Sequence, residues 1–254
     1  MKNKIDAFLC EYTLCVKRQL RYKMSWVSDI ILFTIVFYAI FILFGSEDAT
    51  TQQTINTFIG YIYWQISSIC LGISASAVRE DAMIGMLEMK IMSKVPMTVL
   101  LFAKLMASLL AEITSIVAVT VIAAFFWSYG AAEIFQILCS LLIYLPSLFG
   151  MFGFGLIFGG LALKEKNLGQ LIFLVQILLL FCSSVFHESF PALSFVIPYA
   201  YGIDIARMWI NTGLLSSYSI LIYLGVNCVW FIVGKLFFEK LLEKNKREGW
   251  FSSY

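Results

Sequence analysis

The sequence predicts an all-α integral membrane protein with six transmembrane helices. The first observation is composition: 61% of the 254 residues are hydrophobic, 13% are charged, and the mean hydropathy is +0.87. A soluble domain carries about 25% charged residues, so a chain this apolar has too few polar groups to cover its own surface. The second observation is a set of six long apolar segments. The third is the location of lysine and arginine, which fall almost entirely on one side of those segments.

Each apolar segment is long enough to cross a bilayer, whose hydrocarbon core of about 30 Å takes about 20 helical residues. The six predicted spans are 26–44, 56–76, 99–127, 133–162, 168–186 and 216–238. The third and fourth exceed one membrane thickness, and we expect them to tilt or to project into the cytoplasm. Residues 1–254 are therefore interpreted as a single transmembrane domain.

The basic residues predict the orientation of these spans. Seventeen of the 18 lysines and arginines lie before the first span, between spans two and three, between spans four and five, in the first turns of span three, or in the last span and beyond it. Only Arg207 falls on the other side. Cytoplasmic segments carry the excess of lysine and arginine, so both termini are predicted to be cytoplasmic.

The segment before the first span, 1–24, is predicted to be an amphipathic helix on the inner membrane surface. Its apolar residues recur at helical spacing, with charged residues on the opposite side: Ile5, Phe8, Leu9, Tyr12 and Val16. Helices of this kind lie in the plane of the membrane surface. An ordinary basic cytoplasmic tail is the alternative.

The segment between spans five and six, 187–211, is too apolar for a solvated loop and is interrupted by Pro191 and Pro198. Broken helices at membrane depth occur where protein or a cavity shelters them, so we predict two short re-entrant helices in the outer leaflet. Asp204 and Arg207 stand three residues apart and can pair on one face of the second helix.

Several kinds of chemistry are not predicted for this chain. The sequence has no GxxxxGK[ST] phosphate loop, so it is not expected to bind ATP itself. The six cysteines have no metal-ligand spacing, and the single histidine, His187, is interpreted as part of an interfacial polar cluster with Glu188 and Ser189. We therefore predict no catalytic site, no metal and no cofactor in this chain, and no nucleic-acid partner.

Glu112 is the ionisable residue that makes a secondary carrier an alternative function for this chain. It stands near the middle of the third span, where a charge costs about 2.5–3.5 kcal/mol on insertion scales. Its carboxyl group should therefore face the protein interior or be protonated. It could serve ion coupling in a secondary carrier, or form a hydrogen bond that packs two helices together.

The segment 79–96, REDAMIGMLEMKIMSKVP, combines charged residues with four methionines between spans two and three. Residues 82–95 are compatible with a short amphipathic helix, and Arg79, Glu80, Asp81, Glu88 and Lys94 are expected to keep its other face solvated. Unbranched thioether side chains adapt to a partner's groove, so this helix is predicted to dock on another protein.

This segment resembles the cytoplasmic signature of ABC-2 type permeases, the membrane subunits of ATP-driven exporters. The matching positions are Arg79, Glu80, Asp81, Gly85, Leu87, Glu88, Ser93 and Pro96. Met86 replaces a common threonine, and Val95 separates Lys94 from Pro96. The stretch PYAYGIDIARMW, residues 198–209, resembles the family's sequence before the last span, with Pro198, Asp204 and Arg207 in the same spacing.

The resemblance implies a permease half that pairs with a second copy or a homologous permease, in the plasma membrane of a bacterium. ATP and Mg would be held by separate ATP-binding cassette subunits. Residues 84–94 would seat in a cleft of the ATPase, with Glu88 as polar contact, Leu87 as anchor and Gly85 allowing close backbone approach. The coupling set is completed by Arg79, Glu80, Asp81 and Pro96, and the extracellular gate would be Pro198, Asp204 and Arg207.

The resemblance also implies that spans two and five line the interface between the two permease copies. The candidate substrate path comprises Tyr61, Gln65, Ser68, Glu112, Gln176 and Ser183. The alternative is helix packing, which commonly uses small and polar residues. The amphipathic character of the path favours a lipid, a hydrophobic peptide or a drug-like cargo. An ion-coupled carrier and a non-transporting immunity or anchor protein remain the alternative functions.

Overall fold

The computed structural model describes residues 2–44, 51–127, 130–165, 168–183, 185 and 196–248. These residues form nine helices and no strand. The helices are α1 Lys2–Arg21, α2 Lys23–Phe44, α3 Thr51–Met83, α4 Leu87–Met92, α5 Met97–Trp127, α6 Ala131–Ala162, α7 Gly169–Cys182, α8 Ala200–Thr212 and α9 Ser217–Glu248. The all-α membrane class is confirmed.

The number of helices able to cross a membrane is smaller than predicted. Four pass alone on length and composition, namely α3, α5, α6 and α9, and the bent pair α1–α2 gives a fifth. The apolar helix α7 has only 14 residues, since it ends at Cys182 whereas the predicted span continued to residue 186. The described residues therefore give four or five candidate spans rather than six.

Helices α1 and α2 are separated by a sharp change of direction at Tyr22. Their segments Lys4–Arg21 and Trp26–Ile40 are bent by 78° relative to each other. Helix α1 packs against the first half of α5, where the Phe8 and Phe102 rings lie 6.2 Å apart and Gln19 donates a hydrogen bond to Ser108. The N-terminal segment is thus a separate helix that packs against the first turns of α5, at one end of the bundle.

Helix α6 occupies the centre of the bundle, between α3 and α9, and glycines allow the close approach. A Cβ on Gly155 would collide with the Cys70 carbonyl of α3, and a Cβ on Gly159 would lie 2.9 Å from the Ser74 side chain. On the other side, Gly153 of α6 lies directly against Gly234 of α9. Small residues at helix interfaces let backbones pack tightly in membranes.

The long helices run in alternating directions along the chain, in the order α2, α3, α5, α6, α7 and α9. The segments that join them therefore gather at two opposite ends of the bundle. Tyr61 of α3 donates a hydrogen bond to the Phe33 carbonyl of α2, and Gln176 of α7 donates one to the Ser68 carbonyl of α3. One end, here called the charged end, gathers α1, the last turns of α3, α4, the start of α5, the α6–α7 turn and the end of α9. The other end gathers the start of α3 and all of α8.

Helix α8 forms the described part of the predicted re-entrant segment. It covers Ala200–Thr212 and ends at Gly213, whose positive φ of 70° suits a residue without a Cβ. The first predicted re-entrant helix, and the polar cluster around His187, fall on 186–195 and lie outside the described residues.

Candidate functional site

The site is built at the charged end, where α3 stops and the chain turns into α4. Helix α3 continues through Arg79, Glu80 and Asp81 and ends at Met83. Gly85 then takes a positive φ of 71°, while the amides of Gly85 and Met86 donate to the carbonyls of Ala82 and Asp81. This pair of hydrogen bonds is the Schellman ending of a helix, for which glycine is favoured. The helix predicted over 82–95 is therefore shorter, since Ala82 and Met83 belong to α3 and α4 covers only Leu87–Met92.

Helix α4 has a buried face and an exposed face. Leu87 is 3% exposed and Ile91 4%, both packed into the core, whereas Met83 and Met92 are 73% and 80% exposed. We call the outward residues of this region the α4 surface: Met83, Ile84, Met86, Glu88, Met89 and Met92. Leu87 was predicted to be the anchor for a partner, but the structure places it inside the protomer. The methionines provide the exposed apolar contact area instead.

Beneath α4 lies a group of four largely buried charges, here called the ion cluster: Glu11, Asp81, Lys90 and Lys104. Asp81 is 2% exposed and accepts hydrogen bonds from Lys104 at 2.9 Å and from Lys90 at 3.0 Å. Lys90 also donates to Glu11 at 2.7 Å. The prediction that Asp81 faces solvent is wrong, because two lysines remote in sequence compensate its charge inside the protein.

The ion cluster joins four helices with no net charge. Glu11 comes from α1, Asp81 from α3, Lys90 from α4 and Lys104 from α5. Burial alone would lower the pKa of Lys90, but its hydrogen bond to Glu11 and the charge of Asp81 raise that pKa above its ordinary value. Lys90 is therefore held as a cation, and α4 is fixed to both α1 and α3.

A second, exposed ion pair borders the cluster. Arg18 of α1 contacts Glu80 of α3, and both side chains are nearly half exposed. An exposed pair of this kind contributes about 1 kcal/mol at most. Of the other predicted coupling residues, Arg79, Gly85, Glu88 and Pro96 are exposed at the same end. Arg79 and Glu88 are thus open to a partner, while Asp81 acts inside the protein.

The predicted substrate-path residues fall into two groups rather than one continuous stripe. Tyr61 and Gln65 face α2 and α5 and are fully buried, and Gln65 donates a hydrogen bond to the buried Glu112. The Glu112 carboxylate thus has a helix-packing partner on α3.

The other group faces α7. Gln176 donates to the Ser68 carbonyl at 2.9 Å, and Trp64 donates to the Gln176 carbonyl at 2.7 Å. Ser183 is buried and donates to the Leu180 carbonyl of its own helix. Since Ser68 and Gln176 are only partly buried, this group is the one that reaches the surface of the protomer.

The predicted gate residues lie at the opposite end. Arg207 of α8 donates two hydrogen bonds, at 3.1 and 2.9 Å, to the Asn56 carbonyl of α3, and Asp204 is near enough to act on it electrostatically. The Pro198 carbonyl accepts hydrogen bonds from Ser147 of α6 and Asn227 of α9. Sequence reasoning missed Ser147 and Asn227, although polar residues inside apolar spans were an available signal.

Comparison with known families identifies the family of this chain. The model of the ABC-2 type transporter family matches residues 11–210. The chain belongs to the ABC-2 type transporter family. The match includes the ion cluster, α4 and the gate residues of this ABC-2 permease. No curated protein matches the chain.

Family membership fixes the general class of the molecule. An ABC-2 permease is a multi-pass membrane subunit of an ABC transporter, and its family implies association with an ATP-binding subunit. The family is one of permeases, which are not catalytic themselves. The predicted membership of the ABC-2 permease family is thereby confirmed.

Proposed function

We propose that this ABC-2 permease exports an amphipathic or hydrophobic cargo, driven by a separate ATPase that docks on the α4 surface. The observation that carries the proposal is the contrast between the two sides of α4. Its outer side exposes methionines to a partner, and its inner side is fixed by Lys90 to α1 and α3.

The α4 surface has the chemistry of a protein contact. Its exposed methionines lie beside charged groups of Glu88, Lys94 and Arg79. Exposed apolar area rimmed by charges marks a protein interaction site. Methionine adapts its shape to a partner, and Glu88 adds a charge that fixes orientation.

The ion cluster gives the docked ATPase a connection to the membrane helices. Helix α3 has 33 residues, so its axis is about 50 Å long and extends from the charged end to the opposite end. Because Asp81 and Lys104 link α3 to α5, and Lys90 links α4 to α3 and α1, closure of the ATPase on ATP would move these helices together. ATP binding would then favour one conformation of the permease by binding it more tightly.

The proposed topology has six crossings, formed by α2, α3, α5, α6, α7 and α9. The charged end faces the cytoplasm, as the distribution of lysine and arginine indicates. Both termini are then cytoplasmic, and the protein lies in the plasma membrane of a bacterium.

Two permease copies would form the transport path. The outer face of α7 is apolar and exposed, with Phe173, Leu174, Ile177 and Phe181 directed away from α3. We assign this face to the contact with a second permease, identical or homologous. Ser68 and Gln176 then lie beside the cargo path, Tyr61, Gln65, Glu112 and Ser183 support its walls, and Pro198, Asp204 and Arg207 form its outer gate.

The docking proposal is tested by replacing Glu88. Tagged wild-type permease should co-purify with an ATP-binding subunit in mild detergent, and Glu88→Lys should reduce that yield about tenfold, which corresponds to about 1.4 kcal/mol of binding free energy. The matched control is Glu243→Lys, an exposed glutamate of α9 at the same end. Equal yields for the two variants, or no ATPase with the wild type, would contradict the proposal.

A further inference from the structure

A cleft opens at the charged end between α3 and the α6–α7 turn, next to the α4 surface, with which it shares Met83 and Ile84. It has a volume of about 270 Å³. Its walls are mostly apolar and include Ala75 and Met83 of α3, Ala162 of α6, and Leu168 and Ile172 of the α7 region. Neither the ion cluster nor the gate uses it.

The charged residues at the cleft have opposite signs. Arg79 of α3 and Glu165 of the α6–α7 turn both line it and are exposed. Within the described part of the chain, neither side chain takes part in a hydrogen bond or an ion pair. The third charged residue, Glu80, is already engaged by Arg18. The cleft therefore offers one cationic and one anionic group to a ligand.

The position of the cleft along α3 matches the membrane boundary. Ala75 belongs to the last turn of the predicted span 56–76, and Arg79 follows one helical turn later. Ile172 stands in the first turn of α7 and is buried, while Glu165 precedes the helix in the turn. The apolar part of the cleft thus lies at the hydrocarbon edge, and its charged part lies at the level of lipid headgroups.

We propose that this cleft binds the headgroup of a zwitterionic phospholipid from the inner leaflet, of the phosphatidylethanolamine type. The Arg79 guanidinium would hold the phosphate, since its planar donors match phosphate oxygens. The Glu165 carboxylate would hold the ammonium group, and the glycerol and upper acyl carbons would lie against Ala75 and Ile172.

Size and charge both favour this occupant. A volume of about 270 Å³ is many times the space that one water molecule or one ion needs, so the cleft can hold a lipid headgroup. A purely anionic headgroup would meet Glu165 and a purely cationic ligand would meet Arg79, and like charges facing each other are unfavourable. The proposal depends on the cleft lying at the inner membrane surface and holds whether or not an ATPase docks on α4.

The test uses the full-length permease in nanodiscs of phosphatidylethanolamine and phosphatidylglycerol, each doped in turn with a photoactivatable analogue of one of the two lipids. The ethanolamine probe should label peptides 75–84 and 168–172 about tenfold more than the glycerol probe. Arg79→Ala and Glu165→Gln should each reduce that labelling about tenfold, as expected for losing one charge-assisted contact. The controls are Lys240→Ala and Glu243→Gln, exposed charges of α9 at the same end.

A third variant keeps both Arg79 and Glu165 but fills the cleft with a larger side chain. Ser76 is exposed and lines the cleft, so Ser76→Phe should fill it and abolish the labelling. Equal labelling by the two probes, or labelling of all three cleft variants at the wild-type level, would overturn the proposal. Labelling that persists in Glu88→Lys, the variant that tests ATPase docking, would support a lipid site that does not depend on Glu88.

Discussion

At the residue scale, the charged end depends on compensation among groups that are far apart in sequence. Asp81 is buried with Lys90 and Lys104, and the distances from Lys90 to Glu11 and to Asp81 are 2.7 and 3.0 Å. An isolated buried carboxylate would be very unfavourable, whereas a group of alternating charges with short hydrogen bonds is tolerated. Replacing one residue of the ion cluster should therefore lower the free energy of unfolding more than replacing an exposed charged residue nearby.

We predict that Lys90→Met destabilises the permease by about 3 kcal/mol, because Glu11 and Asp81 would then share Lys104 alone, at 3.9 and 2.9 Å, in a largely buried site. The measurement is the midpoint of thermal unfolding in detergent, which should fall by several degrees. The control is Lys94→Met, since Lys94 is exposed just beyond α4 and surface changes usually stay within about 0.5 kcal/mol. Equal midpoints for the two variants would show that the ion cluster contributes little.

The sequence predicted which segment carries the site but not which residues face outward. The methionine-rich character of 79–96 correctly indicated an exposed apolar surface. Asp81 and Leu87 were assigned to the partner, yet both are buried. Their burial follows from contacts with Lys104 and the core, and such contacts between distant residues are not visible in a local pattern.

At the element scale, helix lengths and interfaces follow from a few small residues. The predicted span 56–76 is extended in α3 to Met83, because nothing before Gly85 ends the helix. The glycines of α6 pack against both neighbouring helices, α3 and α9. Which glycines of α6 contact α3 and which contact α9 could not be predicted, since this depends on how the helices are arranged around α6.

We predict that Gly155→Ala destabilises the bundle by about 1–3 kcal/mol, the typical cost of overpacking, because the new methyl group would meet the Cys70 carbonyl of α3. The matched control is Gly225→Ala in α9, where an added Cβ has no atom within 4 Å among the described residues. Both changes raise helix propensity equally, so the difference between their thermal midpoints isolates the α3–α6 contact. A difference near zero would mean that the helices can separate without cost.

At the scale of the whole molecule, the position of Glu112 separates an exporter from an ion-coupled carrier. Glu112 is buried between α5 and α3 and accepts a hydrogen bond from Gln65. We predict that Glu112→Gln leaves ATP-driven export within about twofold of wild type, because the amide oxygen can accept the same hydrogen bond. The measurement is cargo-stimulated ATPase activity of the purified complex. Transport that depends on a proton gradient and disappears in this variant would support the carrier instead.

The number and direction of the crossings determine whether the α4 surface can meet a cytoplasmic ATPase. Six crossings place α1, α4 and the end of α9 on one side, in agreement with their common position at the charged end. The exposed residues Ser93, Lys246 and Thr212 report on these positions. Each is changed to cysteine in a background from which the six native cysteines have been replaced.

We predict that a membrane-impermeant maleimide labels Thr212→Cys in intact cells, because the proposed topology places α8 at the outer end of the bundle. Ser93→Cys and Lys246→Cys should be labelled only after the cells are permeabilised, since seventeen of the 18 basic residues fall on the predicted cytoplasmic side. Labelling of Ser93→Cys in intact cells would place the α4 surface outside and exclude an ATPase partner there. Labelling of Lys246→Cys alone would contradict the common position of α4 and the end of α9 at the charged end, and with it the six-crossing topology.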